Sequence, residues 1–396
     1  MTQENNQEKN LSPREFVKSS FILNLFMANF STHVIIMSLI MLSPAIQASM
    51  RLGYVQIALI FACMVIGDVI GRSIFLALQL KLSIHHLILL GSIITPVSAL
   101  CLSLSNVLFF ILLGTVGAMA GRAFIGAATK ALSPFSPALI VRYGGPFSML
   151  MSSVLIAILL EYEVDWQMIF FLLMPLGIVV IFMNKPFLDT RNAHAAVNNP
   201  WLTLPIYFKN KQIWGISALY ITFRLLSNTS LLWLPLLISD GMGKNLLETG
   251  IVIIISLLLY GCSRTMLPFI QKIFSASASF MLSSSISITI LAAGWAISSS
   301  FVYILGLNGL AAGLLQPAFN RLTQSKFTKD NLPYLMQPVF LIASLFDIIF
   351  HIIIGALSQG LTIGAGFLLI PLAAAFCLIY GIISMWKQPD LAAVES

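Results

Sequence analysis

Long apolar runs broken by short polar ones dominate this chain. Read in windows of about 20 residues, the length a helix needs to cross bilayer hydrocarbon, the pattern gives twelve spans. They run roughly 21–46, 55–80, 85–105, 107–131, 144–162 and 166–183, then 212–238, 246–270, 275–298, 300–320, 333–357 and 362–386. Composition agrees, because 58% of the 396 residues are hydrophobic and only 9% charged. A mean hydropathy of +0.95 lies outside the range of soluble domains. The expected fold class is all-α integral membrane, with twelve transmembrane helices. The first 20 residues are polar with both charge signs and lead into a run long enough to span, so a retained first helix is expected rather than a cleaved signal. Cys63, Cys101, Cys262 and Cys377 fall within spans, without metal-ligand spacing, and read as small apolar packers.

Charge adds orientation. With a cytoplasmic N-terminus, one side collects most of the basic loop residues, among them Lys81, Arg142, Lys185, Lys209 and Arg321, and only Arg51 and Lys244 lie opposite. This asymmetry predicts a multi-pass inner (plasma) membrane protein with both termini cytoplasmic. It also accounts for the pI near 9.3, so no nucleic-acid partner is implied. Residues 184–211 are the longest polar interruption and divide the spans six and six. The expected organisation is a tail (1–20), a six-helix bundle (21–183), a cytoplasmic linker (184–211), a second six-helix bundle (212–386) and a tail (387–396).

A shift of 192 residues relates these halves. It lays Arg72 on Arg264, Gln79 on Gln271, "GAMAG" at 117–121 on "GLAAG" at 309–313, and Pro146 on Pro338. Two six-helix pseudo-repeats enclosing a midplane site is the geometry of many secondary transporters. With its twelve spans, duplication and basic central loop, the chain resembles the major facilitator superfamily over almost its whole length. The most specific match, "DWQMIFFLLMPLG" at 165–177, resembles the start of the sixth helix in the drug/proton antiporter branch, with Trp166, Phe170, Pro175 and Gly177 in place. "LSPAIQASMRLG" at 42–53 resembles the end of a first helix and its following loop. The pattern departs elsewhere: the loop after the second helix reads "ALQLKLSIHH", with Gln79 where the family carries an acid, and the fifth helix lacks the Gly-rich antiporter signature. "GRAFIGAATKALSP" at 121–134 resembles the family's fourth helix in its R-x-x-x-G followed by small residues, which puts Arg122 at the usual arginine, whereas counting from the third helix puts Thr115 there.

Ionisable residues left inside spans are Asp68, Arg72, Arg122, Arg224, Arg264, Asp347, His33 and His351. Each intramembrane charge costs about 2.5–3.5 kcal/mol on insertion scales, so such groups face one another or a wet cavity. Asp68 and Arg72 are spaced i,i+4 on one helix face. They form a structural ion pair, or Asp68 serves a substrate or proton. Arg264 has Tyr260, not an acid, at i−4. Arg224 shares a face with Asn228, and Asn29, Thr32 and His33 form a polar stripe on the first span. The resemblance implies that the first and seventh helices line the central cavity. Arg224 contacts substrate there or pairs with an acid such as Asp347. Asp347 and His351 share one face of the eleventh span, as a proton relay or a packing hydrogen bond.

Four arginines against two aspartates leave the membrane interior positive, which favours an anion with carboxylate or phosphate groups. Other features read as packing: Gly117, Gly121, Gly126, Gly309 and Gly313 for close helix approach, Pro175, Pro268, Pro317 and Pro338 as kinks or helix starts, and "SASASFMLSSSIS" as polar glue or cavity lining.

The expected function is a proton-coupled transporter of a small organic anion, functional as a monomer, with no cofactor or metal. Arg224, Arg264, Asn228, His33, Asn29 and Arg122 are the substrate candidates, and Asp347, His351 and Asp68 the proton carriers. The sixth-helix resemblance points to efflux, with a carboxylate siderophore as one cargo. Uptake of an anionic nutrient is the alternative. A polytopic enzyme, acyltransferase-like and using His85, His86 or His351, is the alternative from another class. The chain carries no HExxH, G-x-S-x-G or P-loop.

Overall fold

A computed structural model describes residues 21–79, 81–131, 138–183, 211–296, 299–327 and 332–386. The tails, the linker as far as residue 210 and the side chain of Pro268 lie outside the described residues. Within them the chain is helical, as it must be where no water satisfies backbone polar groups, and twelve helices are long and apolar enough to span a bilayer. In the first half these are α1 (Phe21–Met41), α2 (Tyr54–Leu78), α3 (Ile84–Ser103), α4 (Leu108–Ala131), α5 (Ala138–Glu161) and α6 (Trp166–Met183). The second half holds α7, which begins at Lys211, then α8 (Leu246–Ile273), α9 (Ala276–Ala296), α10 (Asn308–Lys326), α11 (Leu332–Gly360) and α12 (Ile363–Trp386).

Where the sequence predicts a loop after the first span, a short helix (Ser43–Met50) intervenes, and it ends at Arg51 in the left-handed conformation, φ 53°. Asn245 caps α8 through Glu248 N–H at 2.7 Å, and the Glu248 carboxylate reaches back to Asn245 N–H. The seventh span is not a uniform α-helix. α-Helix to Arg224 gives way to a π-helical turn (Leu225–Thr229), then α-helix (Ser230–Leu236) and a second π-turn (Leu237–Gly241). In the first π-turn Ser230 N–H reaches the Leu225 carbonyl. The Leu226 carbonyl accepts instead from Ser230 Oγ at 2.7 Å and from Asn308 Nδ2 on α10 at 3.0 Å. Asn308 is held in turn by a short hydrogen bond from Ser287 on α9. The serine-rich stretch therefore acts at this point as glue.

Each half packs on itself, and among the described residues two helix pairs make most of the contact between the halves: α2 with α11, and α5 with α8. The 192-residue shift exchanges these two pairs, as a duplicated fold requires. Close approach also follows the repeat, with the small residues on opposite partners. Gly67 and Gly71 of α2 lie on the backbone of Val116 and Ala120 of α4, whereas Gly309 and Gly313 of α10 lie on Ser256 and Tyr260 of α8. Gly117 and Gly121 pack on Ser98, Thr95 and Gly91 of α3. Gly126 departs from expectation, because an added Cβ would meet nothing within 4 Å. Pro175, Pro317 and Pro338 lie inside α6, α10 and α11 rather than at helix starts.

Direct contacts join the halves at the end where α7 and α11 finish and α2 and α8 begin. There Tyr54 O–H donates to Asp240 at 3.0 Å, Val55 N–H donates to Gln359 at 3.2 Å, and Gly355 presses against Ala58 and the Tyr54 carbonyl. Just below, Phe61 meets Trp233 edge-on at 5.2 Å. Two adjoining cavities lie between the halves.

Candidate functional site

The central cavity holds about 240 Å³ and lies between the halves. His33, Asp68, Arg72, Arg122, Arg224, Asn228, Asp347 and His351 all line it, contributed by α1, α2, α4, α7 and α11. A second space of about 480 Å³ adjoins it and shares Arg72, Tyr220, Gln316 and Phe340. Three arginines face two aspartates around the central cavity.

Two ion-pair groups divide those charges. On the first-half side Arg72 Nε donates to Asp68 Oδ2 at 3.1 Å, and Arg122 Nη1 lies 4.0 Å from Asp68 Oδ1. One carboxylate thus serves two guanidinium groups. Their side chains are 37% and 38% exposed, so both present unused N–H groups to the cavity. On the second-half side Arg224 Nε sits 2.6 Å from Asp347 Oδ2, with side chains 7% and 2% exposed. Arg224 Nη1 also donates to Ser344 Oγ at 2.9 Å, while Asp347 Oδ1 is buried without a hydrogen-bond partner among the described residues.

Asp347 and His351 share a face as expected, but they do not bond to each other among the described contacts. His351 Nδ1 accepts from Trp233 Nε1 at 3.0 Å, and since an indole N–H can only donate, that nitrogen carries no proton. The first-span stripe also divides. His33 lines the cavity with Nδ1 donating to the Asn29 carbonyl at 2.7 Å, whereas Asn29 turns its amide to Leu25 and to Thr129 on α4, outside the cavity lining. Arg264 is not among the lining residues. It donates to Tyr260 Oη at 2.7 Å and Gln316 Oε1 at 2.5 Å, and these two line the cavity in its place. The repeat-related arginines therefore differ in their described contacts: Arg72 reaches the other half, 4.4 Å over the Phe340 ring, and Arg264 lies 4.7 Å over the Tyr260 ring of its own helix.

Phe340, Ser344, Trp233, Tyr260 and Gln316 were missed by the sequence reading. Phe340 and Ser344 carry a signal, because positions 340, 344, 347 and 351 repeat at helical spacing on one face of α11. The sixth-helix motif proves to be packing. Trp166 Nε1 donates to Ser49 at 2.8 Å, Phe170 is fully buried, and Gly177 lies against Pro96 of α3.

Residues 25–336 match the sequence model of the Major Facilitator Superfamily. The chain belongs to that superfamily. As a major facilitator protein it is a multi-pass transporter, not an enzyme. Solved structures agree on the fold: a mutant form of nucleoside transporter NupG superposes with a TM-score of 0.74 at 14% identity, covering 92% of this chain and 99% of that one. A D-xylose–proton symporter gives 0.71 at 12% identity, covering 96% and 99%. No curated protein matches the sequence. Among the described residues no cluster of His, Cys, Asp or Glu could hold a metal ion.

Proposed function

We propose that this superfamily member carries a small organic anion together with protons, by alternating access around the Asp68–Arg72–Arg122 group. The observation that carries the reading is one carboxylate shared by two half-exposed guanidinium groups in a cavity with a positive excess. An anionic oxygen placed between Arg72 and Arg122 completes their neutralisation and accepts charge-assisted hydrogen bonds.

Asp347 is the proton carrier in this account. Its Oδ1 is buried and unpaired, and its only ionic partner among the described residues is Arg224. A proton on Asp347 adds one positive charge to the cavity, releases Arg224 from its pair and strengthens anion binding. Proton and anion therefore load together, which makes the coupling symport and the favoured direction uptake. The resemblance at residues 165–177 points to export, but its Trp166, Phe170 and Gly177 pack helix against helix and do not line the central cavity. His33, whose Nε2 is left to face the cavity by the Asn29 bond, is a second polar contact for cargo.

The test compares cells with and without the gene, by mass spectrometry of organic acids in cytoplasm and medium. An anion left unconsumed in the medium of the deletion cells, and consumed again with wild-type but not Arg122→Gln protein, supports the reading. An anion trapped in the cytoplasm would reverse the direction. A neutral nucleoside or pentose, the substrate classes named for the structural relatives, would remove the anion claim if it alone responded.

A further inference from the structure

Arg264 sits outside the cavity lining yet fixes the chemistry of two groups inside it. A guanidinium can only donate, so the atoms facing it must be acceptors: the Tyr260 lone pair at 2.7 Å and the Gln316 carbonyl oxygen at 2.5 Å. That assignment leaves no freedom in the amide's orientation. Gln316 must present its NH2 group away from Arg264, and Tyr260 must direct its O–H proton elsewhere. Both side chains line the central cavity, and neither has another hydrogen bond among the described residues. The Arg264 guanidinium also lies 4.7 Å from the centre of the Tyr260 ring, which fixes the phenol from its face.

The opposite wall also holds donors in excess, because Arg72 and Arg122 share the single carboxylate of Asp68. The α8–α10 wall thus shows an O–H and an NH2, and the α2–α4 wall shows two guanidinium groups around the one carboxylate of Asp68. Two donor walls, one in each half, face a single space.

We infer that Tyr260 and Gln316, polarised by Arg264, form a second oxygen-accepting subsite, so that the cargo is a di- or tricarboxylate bridging the halves rather than a monocarboxylate. One carboxylate docks on Arg72 and Arg122, and the other end of the ligand accepts from Tyr260 and Gln316. This inference rests on the anion reading above and adds the demand for acceptors at both ends. It also explains the repeat: the position of Asp68 is Tyr260 in the second half, so a carboxylate that neutralises an arginine is replaced by a phenol that passes the arginine's polarity to the ligand. Gln316→Glu is the discriminating variant. A glutamate keeps the bond to Arg264 with near-identical shape, but turns an acceptor towards the cavity where a donor stood.

Binding of succinate, citrate and butyrate to the purified full-length protein would be measured by thermal stabilisation and by quenching of Trp fluorescence, with adenosine and xylose as neutral probes. Succinate or citrate should bind at least about tenfold more tightly than butyrate, a ratio that Gln316→Glu and Tyr260→Phe each lower by about tenfold, the scale of a lost hydrogen bond to a charged group. Arg122→Gln should weaken all three acids. If Arg122→Gln does so while neither Gln316→Glu nor Tyr260→Phe alters the ratio, the second subsite is overturned and the anion reading stands. Binding of adenosine or xylose with no acid bound would overturn both. Should Tyr260→Phe unfold, the Gln316→Glu ratio decides alone.

Discussion

Arg224 Nε on α7 lies 2.6 Å from Asp347 Oδ2 on α11, and the two side chains are almost wholly sealed from solvent. The pair ties a helix that is locally π-wound to one that forms half of the contact between the bundles. Its charge state therefore bears on both the site and the closure of the molecule.

Removing one partner strands the other. Arg224→Leu or Asp347→Leu should each destabilise the protein by about 3–5 kcal/mol, the usual penalty for leaving a buried charge alone, with much of it recovered in the double variant. Thermal unfolding in detergent reads this, and additive losses in the double variant would show that the pair is not coupled.

Asp347→Asn imitates the protonated carboxyl without changing its shape. Anion binding should persist or tighten, while accumulation driven by a proton gradient is lost. Counterflow of labelled against unlabelled substrate separates the two effects, and retained proton dependence in the asparagine variant would return Asp347 to a purely structural role.

Asn308 holds open the π-turn next to Arg224 by donating to the Leu226 carbonyl. Asn308→Ala leaves that carbonyl with Ser230 alone and should cost about 1–3 kcal/mol, with slower transport from a redirected Asn228. Single π-turns inside α-helices are common at functional sites. Wild-type transport and stability in the alanine variant would make this turn incidental.

Gly355 permits the seal between α2 and α11. A Cβ there would come within 2.5 Å of the Ala58 Cβ and 2.7 Å of the Tyr54 carbonyl, so Gly355→Val should wedge that end apart and arrest the cycle. A cysteine at Ile57, 1% exposed in the sealed structure, should then react with a charged thiol reagent added from that side. Unchanged protection would mean the bundles absorb the valine.

The span pattern was legible because a bilayer leaves the backbone no alternative to long apolar helices, and the repeat was legible because its arginines and glycines sit in register. The site was legible only in part. Intramembrane charges identified Arg72, Arg122, Arg224, Asp68 and Asp347, since each must find a partner or a cavity. Helical spacing could not tell which neighbour each one meets: Asn29 and His33 are one turn apart, yet Asn29 faces Thr129 and His33 the cavity. Asp347 and His351 share a face but bond to Arg224 and Trp233 of α7 at different levels. Nor could periodicity reveal the π-turn in α7, which depends on Asn308 from another helix.

The most direct measurement is proton movement in proteoliposomes containing a pH-sensitive dye, on addition of a panel of di- and tricarboxylates, monocarboxylates, adenosine and xylose. A di- or tricarboxylate should carry protons inward with it through the wild-type protein and not through Arg122→Gln. Proton entry with adenosine or xylose instead, or proton exit when the acid is added, would contradict it.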